Sequence, residues 1–160
     1  KPFLRHTGPT LSPFNAWVLL KGLETLKLRV EAQSRAAAAV AEALASTKGV
    51  ERIYYPHHDT HAQVKLARGQ MKMGGTMVSF DVAGGKAKAF DVLRKLGIID
   101  ISNNLGDAKS LITHPATTTH RNIGPEARAM MGITDGNLRL SVGLEDVDDL
   151  VGDLRQALKP

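Results

Sequence analysis

An apolar stripe at helical spacing runs from Leu19 through Leu23, Leu26, Val30, Ala37 and Val40 to Leu44, and it constrains the architecture more than any other feature. Ser12-Pro13 stands at its head, a capping hydroxyl followed by a proline whose missing N–H costs nothing at the first helical position. Lys48-Gly49 closes it with a residue suited to helix termination. A helix of about 33 residues would be on the order of 50 Å long, more than one compact domain of this size needs. The pattern therefore predicts an element over residues 13–48 that passes from one domain into another, bent near Gln33-Ser34 where polar residues interrupt the stripe. Residues 1–12, with Pro2, Gly8 and Pro9, read as a linker. The first residue is Lys rather than Met, so a preceding domain is expected.

Beyond Gly49 the pattern shortens and alternates. Strands are expected at residues 51–55, 76–82, 98–102, 110–113 and 138–142, and helices at 61–70, 86–96 and 125–131. In the strand around Phe80, the residues Thr76, Val78, Phe80 and Val82 share one face, with Met77, Ser79 and Asp81 on the other. In the last strand Leu138, Leu140 and Val142 share a face, leaving Asn137, Arg139 and Ser141 opposite. A final helix buries Val147, Leu150, Val151, Leu154 and Leu158. Asp146, Asp148 and Asp149 stand at its N-terminal end and Arg155 and Lys159 at the other, as the helix dipole prefers. The expected class is α+β, an α/β sandwich: a small, mostly antiparallel sheet with helices over one face, filling residues 49–160.

Composition enters mainly by exclusion. The chain has no Cys, which removes thiolate metal sites, disulfides and a cysteine nucleophile. No apolar run approaches the roughly 20 residues of a membrane span. The net charge of +5 invites a nucleic-acid reading. However, residues 1–72 hold 11 basic against 5 acidic groups and residues 73–160 hold 10 against 11, with no basic run in either part. Aromatics make up only 4%, too few for a base-stacking platform. No nucleic-acid or membrane partner is expected.

The candidate chemistry is sparse. His57, His58 and His61 are close in sequence but match no zinc spacing, and they read as turn residues rather than metal ligands. His114 and His120 bracket Pro115-Ala116-Thr117-Thr118-Thr119, a hydroxyl-dense loop that could line a pocket or could satisfy its own backbone. Arg139 lies on a strand between Leu138 and Leu140, so its guanidinium needs an acidic partner. That partner is either one of the nearby Asp residues or the carboxylate of a substrate. No nucleophile–base pair, phosphate-binding glycine signature or metal motif occurs.

Three segments in order, SPFNAWVLLKGLETLKLRV (12–30), NNLGDAKSLITHPATTTH (103–120) and LRLSVGLEDVDDLVGDLRQAL (138–158), resemble the C-terminal part of the Cys/Met-metabolism family of pyridoxal-phosphate enzymes. The resemblance covers essentially the whole chain. The segments RHTGPTLSPFNAW and NNLGDAKSLITHPATTTH are most similar to its sulfhydrylase branch that uses O-succinylhomoserine.

The resemblance implies a fold-type I homotetramer in the cytoplasm whose large N-terminal domain holds the cofactor, pyridoxal 5'-phosphate, and its Schiff-base lysine. Both would precede this chain, so residues 1–12 become the link from that domain and 49–160 its small partner. No catalytic, cofactor-binding or metal-binding residue is then expected here, and the chain alone is expected to be inactive and without cofactor.

By the same resemblance Arg139 matches the arginine that grips the substrate α-carboxylate. Asn104 stands where many members have a serine that helps hold that group, and Thr119 matches a threonine beside the substrate. Asn103 stands where cystathionine γ-lyases carry a glutamate, and its loss favours a small nucleophile such as sulfide. The implied reaction of the whole enzyme turns an amino-acid ester, O-succinylhomoserine, and sulfide into homocysteine. Two competing readings remain: a cystathionine γ-synthase or γ-lyase, and a non-catalytic module whose long helix pairs with a second copy.

Overall fold

The computed structural model describes residues 2–8 and 10–160. Pro9, part of the expected linker, lies outside the described residues. Within that stretch a short helix, α1 (Pro2–Thr7), is present, its end tied by the Thr7 hydroxyl donating to the Phe3 carbonyl at 2.8 Å.

The long helix is two helices, α2 (Pro13–Glu24) and α3 (Leu26–Ala45). Ser12 caps α2 as expected, its hydroxyl accepting from the Asn15 N–H at 3.2 Å. The break falls at Thr25, not at Gln33-Ser34. Arg29 explains the position: its Nη2 takes the Gly22 carbonyl at 2.6 Å and its Nε reaches the Thr25 hydroxyl at 3.2 Å. A side chain inserted into the backbone ladder is a recognised cause of a kink. Gln33 and Ser34 instead sit mid-helix and are buried. Gln33 interrupts the apolar stripe because its amide donates to the Asp107 carbonyl at 2.7 Å, anchoring a loop 74 residues away. Only the second half of the stripe is buried, through Ala37, Val40, Ala41 and Leu44, while Leu19 and Leu23 are each 61% exposed.

Five strands follow: β1 (Val50–Tyr54), β2 (Met77–Val82), β3 (Asp100–Ile101), β4 (Leu111–Thr113) and β5 (Asn137–Ser141). They form one sheet in the order β1-β2-β5-β4-β3, antiparallel except for the β3–β4 pair. The third strand is only two residues long, shorter than the expected 98–102. Helix α4 (Val64–Gln70) starts three residues later than expected because His58 and His61 are used in turns. Helix α5 (Gly85–Lys95), helix α6 (Pro125–Met130) and helix α7 (Val147–Leu158) complete the chain.

The expected alternation holds. Ile53, Phe80 and Leu138 align across β1, β2 and β5, and Val78, Leu140 and Ile112 across β2, β5 and β4, all buried on one face. Helices α3, α5 and α7 cover that face, contributing Leu44, Val92, Leu150 and Leu154 to a single core. Asp146 caps α7 by accepting from the N–H groups of Asp148 and Asp149.

Two polar latches fasten the layers. The Asp153 carboxylate accepts from the backbone N–H of Gly97, Ile98 and Ile99 at 2.8, 2.9 and 3.1 Å. The Glu145 carboxylate takes the Ser110 N–H and hydroxyl at 2.6 and 2.8 Å, and the Ser110 hydroxyl oxygen accepts from Gly143 N–H at 2.8 Å. Gly143 has no alternative there, since a Cβ would collide with the Lys109–Ser110 peptide. The candidate site lies on the opposite face of the sheet, where Asp81, Thr113, Asn137 and Ser141 are buried polar residues.

Candidate functional site

Pairing register puts Tyr54, Ser79, Arg139 and Thr113 in one row across β1, β2, β5 and β4 on this opposite face. Arg139 is flanked in sequence by Leu138 and Leu140, both fully buried, so its backbone is fixed while its side chain leaves the core. It lines an open groove with Tyr54, Gly74, Met77, Ser79 and Leu105. Gly74 is required beside that groove, because a Cβ would fall 2.5 Å from the Tyr55 ring.

No carboxylate lies within ion-pair distance of Arg139 among the described residues. Its Nη2 donates to the backbone carbonyl of Asn103 at 2.9 Å. A guanidinium carries five donors in a planar fork, so one neutral carbonyl contact leaves most of them for an incoming anion. Of the two partners open to Arg139 from its sequence position, the nearby Asp residues are not engaged.

The loop bearing Asn103 and Asn104 is pinned at its far end. The Gly106 N–H donates to Ser141 Oγ at 2.9 Å, Gln33 holds Asp107, and Gly106 adopts a φ of +79° that a side chain would resist. Asn103 is the candidate residue brought directly to Arg139. Asn104 follows it in the chain, is exposed, and uses its N–H on the Ser102 hydroxyl at 3.2 Å. Thr119 is exposed, with its hydroxyl 2.8 Å from Nδ1 of His120. No hydrogen bond connects Thr119 or the Asn104 side chain to Arg139 among the described residues.

The hydroxyl-dense loop turns out to satisfy itself in part. His114 is buried, its Nε2 donates to the Asp135 carbonyl at 2.8 Å, and its Nδ1 is 2.9 Å from the Thr117 hydroxyl. The ring also packs edge-on against Phe90, 5.3 Å between centroids. The three clustered histidines diverge: His58 Nε2 approaches Glu42 at 3.4 Å and Nδ1 of His61 accepts from the Gln63 N–H at 3.2 Å.

Sequence reading missed a second polar cluster on the same face. Asp81 accepts from Tyr54 Oη, Thr134 Oγ1 and Asn137 Nδ2 at 2.7, 2.9 and 2.8 Å. Burial and the adjacent Asp81 carboxylate raise the Tyr54 hydroxyl above its usual pKa, so it remains a neutral donor. Alternation had assigned Asp81 and Asn137 to this face, but only the β2–β5 register makes them neighbours.

Comparison with known proteins decides the family. The family model described as Cys/Met metabolism PLP-dependent enzyme matches residues 1–159. The chain belongs to that family. It is 56% identical to the O-succinylhomoserine sulfhydrylase of Mycobacterium tuberculosis, over 97% of this chain and 39% of that protein. It is 44% identical to the L-methionine gamma-lyase of Pseudomonas putida, over 96% of this chain and 38% of that protein. The crystal structure of cystathionine gamma synthase from Xanthomonas oryzae pv. oryzae superposes with a TM-score of 0.88 at 42% identity, covering 96% of this chain and 40% of that one. The chain thus spans about two fifths of the length of the relatives it matches. The fold is the α+β small-domain portion of fold-type I pyridoxal-phosphate enzymes, as expected. Among the described residues no lysine lines the groove before Arg139, so this groove alone does not fit the cofactor. Among the described residues, no helix is long and apolar enough to cross a membrane.

Proposed function

We propose that the enzyme containing this chain replaces the succinyloxy group on Cγ of O-succinylhomoserine by sulfide, breaking the Cγ–O bond to release succinate and forming the Cγ–S bond of homocysteine, and that this chain holds the substrate's α-carboxylate through Arg139. The observation that carries the reading is the state of Arg139. It is an arginine on a strand, lining a groove, steadied by one neutral carbonyl and not engaged by a carboxylate among the described residues. A bidentate clamp of this kind fixes orientation, which is where a binding residue contributes most to rate. Pyridoxal phosphate, when bound elsewhere in the enzyme, would withdraw electrons from the substrate carbon next to that carboxylate.

Asn104 and Thr119 belong to the same reading as flanking contacts, both exposed, with the Thr119 hydroxyl already beside His120 Nδ1. Asn103 is neutral, so the residue whose carbonyl meets the clamp offers no carboxylate of its own to attract the ammonium of a second amino acid. This supports sulfide over cysteine as the acceptor, in line with 56% identity to a named sulfhydrylase. In this reading residues 1–12 and 13–48 connect to a large cofactor-binding domain. The exposed Phe14, Trp17 and Leu20 of α2 pack on it in a cytoplasmic homotetramer.

The test is the initial rate of the intact enzyme on O-succinylhomoserine with sulfide and with cysteine, each as sole acceptor. Sulfide is expected to be preferred. A clear preference for cysteine moves the assignment to a cystathionine γ-synthase, and elimination without an acceptor moves it to a lyase.

A further inference from the structure

Thr113 and Arg139 are register partners on β4 and β5, and the threonine is buried, 1% exposed. Its hydroxyl donates to Asn103 Oδ1 at 3.2 Å and lies 2.8 Å from Thr118 Oγ1. Thr118 in turn donates to the His114 carbonyl at 2.9 Å.

The backbone carbonyl of that same Asn103 is the group that receives Arg139 Nη2.

We infer that Thr113 is a positioning residue for the carboxylate clamp: its hydroxyl donates to Asn103 Oδ1 and so holds the residue whose main-chain carbonyl fixes one arm of Arg139. The inference rests on the reading of Arg139 as the substrate-carboxylate group. The 103–107 loop is held at its far end by Ser141 and Gln33, but near Asn103 it is exposed, and there the Thr113 contact is what ties its side chain to the sheet. Loss of that tie frees the carbonyl and, through it, the guanidinium.

The experiment uses the intact holoenzyme with Thr113→Val, which keeps the side-chain shape but neither donates nor accepts, and Thr113→Ser, which restores the hydroxyl. Thr113→Val is expected to raise KM for the amino-acid ester about tenfold with kcat within about twofold of wild type, and Thr113→Ser to return KM to within about twofold. Should Thr113→Val not fold, Thr118→Val interrupts the same chain one link on and must raise KM in the same sense. An unchanged KM in the folded variant overturns the inference, as does a Ser variant as impaired as the Val variant, which would make the effect one of packing. Arg139→Ala is run beside them. If it leaves KM unchanged, the clamp reading itself fails; if it raises KM while Thr113→Val is silent, only the positioning role fails.

Discussion

Replacing Asp153 by Asn tests how the C-terminal helix is fastened to the rest of the fold. The wild-type carboxylate is nearly buried and receives four donors: Gly97 N–H and Gln156 Nε2 on Oδ1, and Ile98 and Ile99 N–H on Oδ2. Asparagine has the same size but only one acceptor atom. Whichever way the amide turns, two of the four donors face an NH2 group and lose their partner. A buried donor left unpaired costs about 1–3 kcal/mol, so the change should destabilise by about 3 kcal/mol, a large share of a typical 5–15 kcal/mol total.

The pH dependence follows from the carboxyl's direction of shift. Burial pushes its pKa up, but the donors of Gly97, Ile98, Ile99 and Gln156 outweigh burial and hold it below the usual carboxylate range. A group whose folded pKa is depressed contributes its stability above the unfolded pKa and loses it as pH falls through the folded one. The gap between wild type and Asp153→Asn should therefore be full at neutral pH and narrow only below about pH 4. Urea unfolding of the chain, followed by circular dichroism at pH 7 and at a series of acidic values, measures both. A difference below about 0.5 kcal/mol at pH 7, within the range of ordinary surface changes, would refute the latch. So would a gap that persists unchanged through the acid limb.

In the intact enzyme, Arg139→Ala should raise KM and lower kcat/KM by on the order of 10²-fold, the loss of a charge-assisted contact of about 3 kcal/mol. Arg139→Lys should recover only part, since an ammonium lacks the planar fork; normal kinetics with a lowered Tm would instead make Arg139 a structural residue. Mixed with pyridoxal phosphate, the chain alone should show no stable Schiff-base band in the visible spectrum. Such a band, surviving dialysis, would place the reactive lysine within these residues.

Local periodicity determined most of the secondary structure, because helices and strands bury side chains at fixed spacings that a one-dimensional pattern records. It put Phe80 and Leu138 in the core and Asp81, Asn137 and Arg139 on the other face, as the sheet shows. The segments around Arg139 and Thr119 also carried the family likeness. What periodicity did not carry was which polar groups meet. The break at Thr25 coincides with Arg29 reaching back seven residues to the Gly22 carbonyl, and Gln33 interrupts the stripe because its partner is Asp107. The Asp81 cluster and the Asn103–Thr113–Thr118 chain join residues from different strands and loops, whose adjacency follows from strand register and loop path. Apolar burial is non-directional and leaves its mark on every helical turn and strand step. A hydrogen bond needs a particular donor at a particular distance, and across a sheet only the assembled tertiary structure decides which one arrives.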